Sequence, residues 1–136
     1  MSEAPAFVLD ASALLAYLQG EPGASVVASA LVQGAALSAV NWAEVLSKLA
    51  ERSQDPDTVA TYLTEQGLLD KAILIYPLDE TLARAIAKLH SQTRSAGLSL
   101  GDRACLALAL CLGLPALTTD RAWASLKLGA DVRLIR

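Results

Sequence analysis

The order of short apolar runs and amphipathic segments predicts an α/β protein whose parallel sheet is covered by helices on both faces. Three observations carry this. Ala6-Phe7-Val8-Leu9 and Ala72-Ile73-Leu74-Ile75-Tyr76-Pro77 are apolar throughout rather than alternating, as strands buried on both faces are. Each strand-like run is followed by a segment of helical periodicity. No linker, repeat or low-complexity stretch interrupts the alternation, so the 136 residues read as one domain spanning 1–136.

The elements follow in order. The first strand, Ala6 to Leu9, ends at Asp10, and Ser12 to Leu18 reads as a helix stopped by Gly20-Glu21-Pro22-Gly23. A second helix runs from Ala24 to Val32, and Ala35 to Ala39 makes a second strand. Asn41 is a suitable cap for a helix over Trp42 to Arg52. Asp55-Pro56-Asp57 opens another helix to about Gln66, with the proline in its first turn. The third strand, Ala72 to Pro77, is the clearest, because β-branched residues favour a pleated surface. Asp79 begins an amphipathic helix carrying Leu82, Ile86 and Leu89. Gly97 to Gly101 is read as a loop before an apolar helix from Asp102 to Leu112, closed by Gly113 and Pro115. Ala116 to Thr119 and Val132 to Ile135 supply the last two strands.

A hydrophobic content of 54% is high, yet no apolar run reaches the roughly 18 residues that a membrane span needs. Met1-Ser2-Glu3-Ala4-Pro5 lacks the basic start of a secretory signal, so a cytoplasmic protein is expected. Cys105 and Cys111 lie on one predicted helix in poor geometry for a disulfide, and both read as buried free thiols. The net charge of -3 argues, taken alone, against a nucleic-acid partner. Four carboxylates gathered around cations would leave the rest of the chain slightly positive, so the total does not exclude one.

Right-handed crossovers bring the carboxyl ends of parallel strands to one edge, where ligands bind. Asp10 and Asp120 end the first and fourth strands; Glu44 lies in the first turn after the second; Asp102 opens a helix. Crowded there, these acids would repel one another, and a hard divalent cation with oxygen ligands, Mg²⁺ or Mn²⁺, is the natural compensation. Each also has a plain reading: Asp102 as a helix cap and Asp10 as a turn residue, as Asp55 and Asp79 are read to be caps. The weight lies in the joint pattern.

Phe7-Val8-Leu9-Asp10-Ala11-Ser12-Ala13-Leu14, Asn41-Trp42-Ala43-Glu44-Val45, Leu98-Ser99-Leu100-Gly101-Asp102-Arg103-Ala104-Cys105 and Leu117-Thr118-Thr119-Asp120-Arg121 together resemble PIN-domain ribonucleases, most closely the VapC toxins of bacterial toxin–antitoxin pairs. The resemblance covers essentially the whole chain in the family's order. It implies a three-layer α/β/α sandwich with a five-stranded parallel sheet. It also implies Mg²⁺-dependent endoribonuclease activity on structured RNA such as tRNA, a homodimer and a cognate antitoxin. By position, Asp10, Asp102 and Asp120 would hold the metal. Glu44 would help hold it or orient the attacking water, and Ser12 and Thr118 would support the acids. Water would then cleave the phosphodiester to 5′-phosphate and 3′-hydroxyl ends.

Arg103 and Arg121 each follow a proposed ligand and are candidates for RNA phosphate contacts; solvated or ion-paired roles are the alternative. His90, the single histidine, reads as a surface residue, which argues against a triad hydrolase. Trp42 and Trp123 read as packing residues, with base stacking as the alternative. Apolar surplus on the first two helices suits an antitoxin groove or a dimer interface as well as core. A phosphatase-like domain would place a second acid where Ser12 stands, and a phosphoacceptor receiver would need an acidic pair and a late lysine that are not evident. A non-catalytic module acting through its partner is the remaining rival. No glycine-rich fingerprint supports a dinucleotide.

Overall fold

The computed structural model describes residues 4–136. Five parallel strands, β1 (Phe7–Leu9), β2 (Ala35–Ser38), β3 (Ile73–Tyr76), β4 (Ala116–Thr118) and β5 (Val132–Leu134), lie in the order β3-β2-β1-β4-β5. Among the described residues seven α-helices pack around them: α1 (Ala11–Leu18), α2 (Ala24–Gln33), α3 (Ala39–Ala50), α4 (Pro56–Glu65), α5 (Glu80–Lys88), α6 (His90–Thr93) and α7 (Leu100–Leu112). This is the parallel α/β/α sandwich that the unbroken apolar strands predict.

Period-two geometry divides the core. On β1, Leu9 turns to one face with Leu14, Val27, Leu37, Val45 and Ile73, whereas Val8 turns to the other with Ala36, Leu82, Ile86 and Leu106. Small residues at Ala35, Ala36 and Ala116 leave room for helices to approach the central strands. After β1 the chain moves outward through β2 to β3, then returns to place β4 on the other side of β1. The strand order reverses between β1 and β4, which opens a crevice at their carboxyl ends.

Helix starts depart from the sequence reading in two informative places. Ser38, not Asn41, caps α3: its extended backbone leaves β2 directly and its Oγ accepts from the Asn41 backbone N–H at 3.0 Å. Asn41 therefore sits inside the first turn. Likewise α7 starts at Leu100, because Ser99 and Asp102 form a reciprocal capping box; Asp102 lies within the helix rather than opening it. The segment carrying Leu82, Ile86 and Leu89 breaks after Lys88 into α5 and the short α6. Only Cys105 is buried; Cys111 is exposed, on the side of α7 turned away from the core that Leu108 and Leu112 meet, correcting the expectation of two buried thiols. Among the described residues no helix is long and apolar enough to cross a membrane.

Candidate active site

The crevice beside β1 and β4 is a cleft of about 380 Å³, and Asp10, Glu44, Asp102 and Asp120 all line it. Asp10 is the deepest, with only 6% of its surface exposed. It caps α1, accepting from the Ala13 backbone N–H at 2.8 Å, and receives the Ser12 hydroxyl at 2.7 Å and the Thr118 hydroxyl at 2.5 Å. Burial pushes its carboxyl above the usual aspartate range. Hydrogen bonds from Thr118, Ser12 and Ala13 pull it back, and the negative charge of Asp102 pushes it up again.

The other acids are held by the elements that carry them. Asp102 Oδ2 accepts from the Ser99 backbone N–H at 3.0 Å, and Asp120 Oδ1 accepts from the Ala122 N–H at 3.0 Å at the start of the 3₁₀ turn Arg121–Ser125. Glu44 Oε1 accepts from the Asn41 side-chain amide at 2.8 Å. Capping and the candidate site are thus not competing readings of Asp10, Asp102 and Asp120. The same carboxylate serves its helix start with one oxygen while lining the cleft.

The remaining predicted residues divide. Ser12 and Thr118 both bond to Asp10, and each also accepts a backbone N–H from the segment after β4, from Thr119 at 3.1 Å and Asp120 at 3.0 Å. Arg103 does not line the cleft; its guanidinium turns to the Ile86 carbonyl of α5 at 3.2 Å. Arg121 is exposed and does not line it either. Trp123 is fully buried and Trp42 packs against the core, which leaves Trp123 no face for a base. His90 is exposed on α6.

Sequence reasoning missed five lining residues, Ala11, Leu15, Asn41, Lys48 and Thr119, of which two bear on the acids. Asn41, 1% exposed, forms part of the wall, and Lys48 stands one helical turn beyond Glu44 on the same face of α3. The i, i+4 spacing of Lys48 to Glu44 was a readable signal.

Among the described residues no three carboxylate, histidine or cysteine side chains close into a ready metal shell. Mutual repulsion separates like charges, and each acid turns an oxygen to its own donor. The donor set nevertheless fits a hard divalent cation: the cleft presents carboxylate oxygens, and among the described residues none of the four acids is in an ion pair. Lys48, the one cationic side chain among the described residues that line the cleft, pairs with Glu51 at 3.6 Å.

A parallel α/β/α sandwich with an acidic cleft at its strand-order reversal defines the class of protein to which these features belong. The model of the PIN domain matches residues 7–128, and the chain belongs to that family. Similar solved structures include a toxin–antitoxin complex from Klebsiella pneumoniae, at 20% identity and TM-score 0.72 over 95% of this chain and 97% of that one. VapBC-5 of the VapBC family of toxin–antitoxin systems, from Mycobacterium tuberculosis, is 27% identical with TM-score 0.55, covering 97% of this chain and 99% of that one. VapC20 of the same organism, a sarcin–ricin-loop-cleaving toxin, is 14% identical with TM-score 0.67 over 92% and 98% of the two chains. No curated protein matches the chain in sequence.

Proposed function

We propose that this chain is a Mg²⁺-dependent endoribonuclease, the toxin of a toxin–antitoxin pair acting in the cytoplasm, with Mn²⁺ able to replace Mg²⁺. One observation carries the reading: four carboxylates, which pair with no cation among the described residues, line a single cleft at the strand-order reversal of a PIN fold. The likeness to toxin–antitoxin complexes supports an antitoxin partner, and the VapC20 likeness supports RNA as substrate. The homodimer expected from the family belongs to the same proposal.

Asp10, Asp102 and Asp120 are the residues that would hold the cation, and Glu44 would complete the set or accept a hydrogen bond from the attacking water. A divalent ion there supplies charge stabilisation for a phosphodiester transition state and makes a water more acidic. The protein's part is positional. Thr118, Ser12 and the Ala13 N–H hold the Asp10 oxygens in a fixed direction, and the capping contacts of Asp102 and Asp120 do the same at the cleft's other walls. Water adds to phosphorus and the bond to O3′ breaks, so the upstream fragment leaves as a 3′-hydroxyl and the downstream one carries a 5′-phosphate. No histidine lines the cleft to deprotonate a 2′-hydroxyl.

The test is cleavage of total cellular RNA with and without Mg²⁺, followed by end mapping. The expected result is cleavage abolished by EDTA, with 5′-phosphate ends. Ends bearing 2′,3′-cyclic phosphate, or cleavage undiminished in EDTA, would overturn it.

A further inference from the structure

Asn41 is an amide buried in the wall of the cleft that the four acids line, and every polar atom of its side chain has a partner. Its Oδ1 accepts the Ser38 hydroxyl at 2.7 Å. Its Nδ2 donates to Glu44 Oε1 at 2.8 Å and to the Gly101 carbonyl at 3.0 Å, 60 residues away. These partners fix which end of the amide faces which way, since the reverse orientation would set its oxygen against two acceptors. Gly101 lies buried in the first turn of α7, next to Asp102, and its φ is not in the left-handed region, so conformation does not require glycine there. Space does: a β-carbon at this position would stand 2.5 Å from both carboxylate oxygens of Glu44.

We propose that Asn41 is a positioning residue, tying the Glu44 carboxylate to the first turn of α7, and that Gly101 is glycine to leave that carboxylate its place. The tie crosses from α3, which follows β2, to α7, which carries Asp102. It holds two of the four acids at a set separation although no element joins them in sequence. The role rests on the nuclease reading above, and the variants below separate the two.

Three measurements test it. Asn41→Leu, close in size but without donors, should weaken Mn²⁺ binding by calorimetry about 10- to 100-fold, the range found for groups that orient metal ligands. In a Glu44→Ala background the same change should cost nothing further, because Asn41 acts through Glu44. An equal loss in both backgrounds would mean a merely structural asparagine and overturn the proposal. Should Asn41→Leu fail to fold, Gly101→Ala answers the same question. The alanine suits a helix better than glycine and the atoms it meets end a flexible side chain, so the melting temperature should hold or rise. Mn²⁺ affinity should nonetheless fall at least about tenfold. Wild-type affinity in this variant would overturn the role given to Gly101 and Glu44. In the metal-free chain, the Asn41 side-chain NH₂ protons should exchange slowly and lose part of that protection in Glu44→Ala; exchange at the rate of a free amide would overturn the tie. A wild-type chain that neither binds Mn²⁺ nor cleaves RNA would sink the nuclease reading while leaving the exchange result to decide the Asn41–Glu44 link.

Discussion

Thr118 donates its hydroxyl proton to Asp10 across 2.5 Å, joining residues 108 apart in sequence, and the same oxygen accepts the backbone N–H of Asp120 at 3.0 Å. One hydroxyl thus couples two acids of the cleft across the β1–β4 pairing. Thr118→Val keeps the β-branched shape and removes both bonds. It leaves a buried carboxylate oxygen and a backbone N–H without partners, and should lower stability by about 1–3 kcal/mol in urea unfolding. Cleavage should fall with it. An unfolding midpoint equal to wild type would show that water replaces the hydroxyl without loss.

Asp10→Asn should abolish cleavage to within assay limits, a loss of at least about 100-fold, the upper end of what groups behind a metal ligand produce. The same variant should be more stable than wild type at neutral pH. Burial raises the folded-state value of Asp10 above its ordinary 3.8, so the folded chain binds more protons than the unfolded one between the two values. Stability therefore falls as pH rises through that window, and removing the charge restores what is lost. Below pH 3.8 the advantage of asparagine should shrink toward zero. Melting temperatures across this range check the sign; a variant less stable than wild type at neutral pH would contradict it.

Trp123 is fully buried, on the turn that follows Asp120 and against the layer of α5 and α7. Trp123→Ala should cost about 3–5 kcal/mol through lost burial and the cavity left behind. Denaturant unfolding measures it. A cost below about 1 kcal/mol would mean that the turn collapses into the space.

Only one of the two thiols should react in the native protein. Cys111 is exposed, whereas Cys105 is buried and its thiol is pushed well above the ordinary range by burial and then by the charges of Asp10, Asp102 and Glu44. Iodoacetamide at neutral pH should label Cys111 alone, with Cys105 joining it in denaturant, as peptide mass spectrometry can read.

What the sequence made legible follows from the range of the forces involved. Unbroken apolar runs report burial on both faces, so the five strands and their layering could be read from composition along the chain. The four acids could be placed because strand ends in a parallel sheet share an edge, a consequence of topology rather than of local contacts. Asn41 could not. Ser38 and Asn41 are both good caps three residues apart, and the extended exit of β2 at Ser38 decides between them. The partner that gives Asn41 its other bond, Gly101, lies 60 residues on, where no local periodicity reports it. Arg103 reads as a candidate for RNA contact because it follows Asp102, but a helix turns successive side chains by about 100°, which carries it toward α5. Cys111 escaped because the run around it is apolar on every side, so no periodicity marks which of its faces meets the core.

The order in which the walls of the cleft are made has a consequence for biosynthesis. A nascent chain ending anywhere before β4 has the central strand with one flank open and Asp10 without its threonine. Translation must carry the polypeptide past Asp120 before the constellation can exist at all. A ribosome making this protein holds an incomplete set of acids until β4 and the residues just after it have emerged.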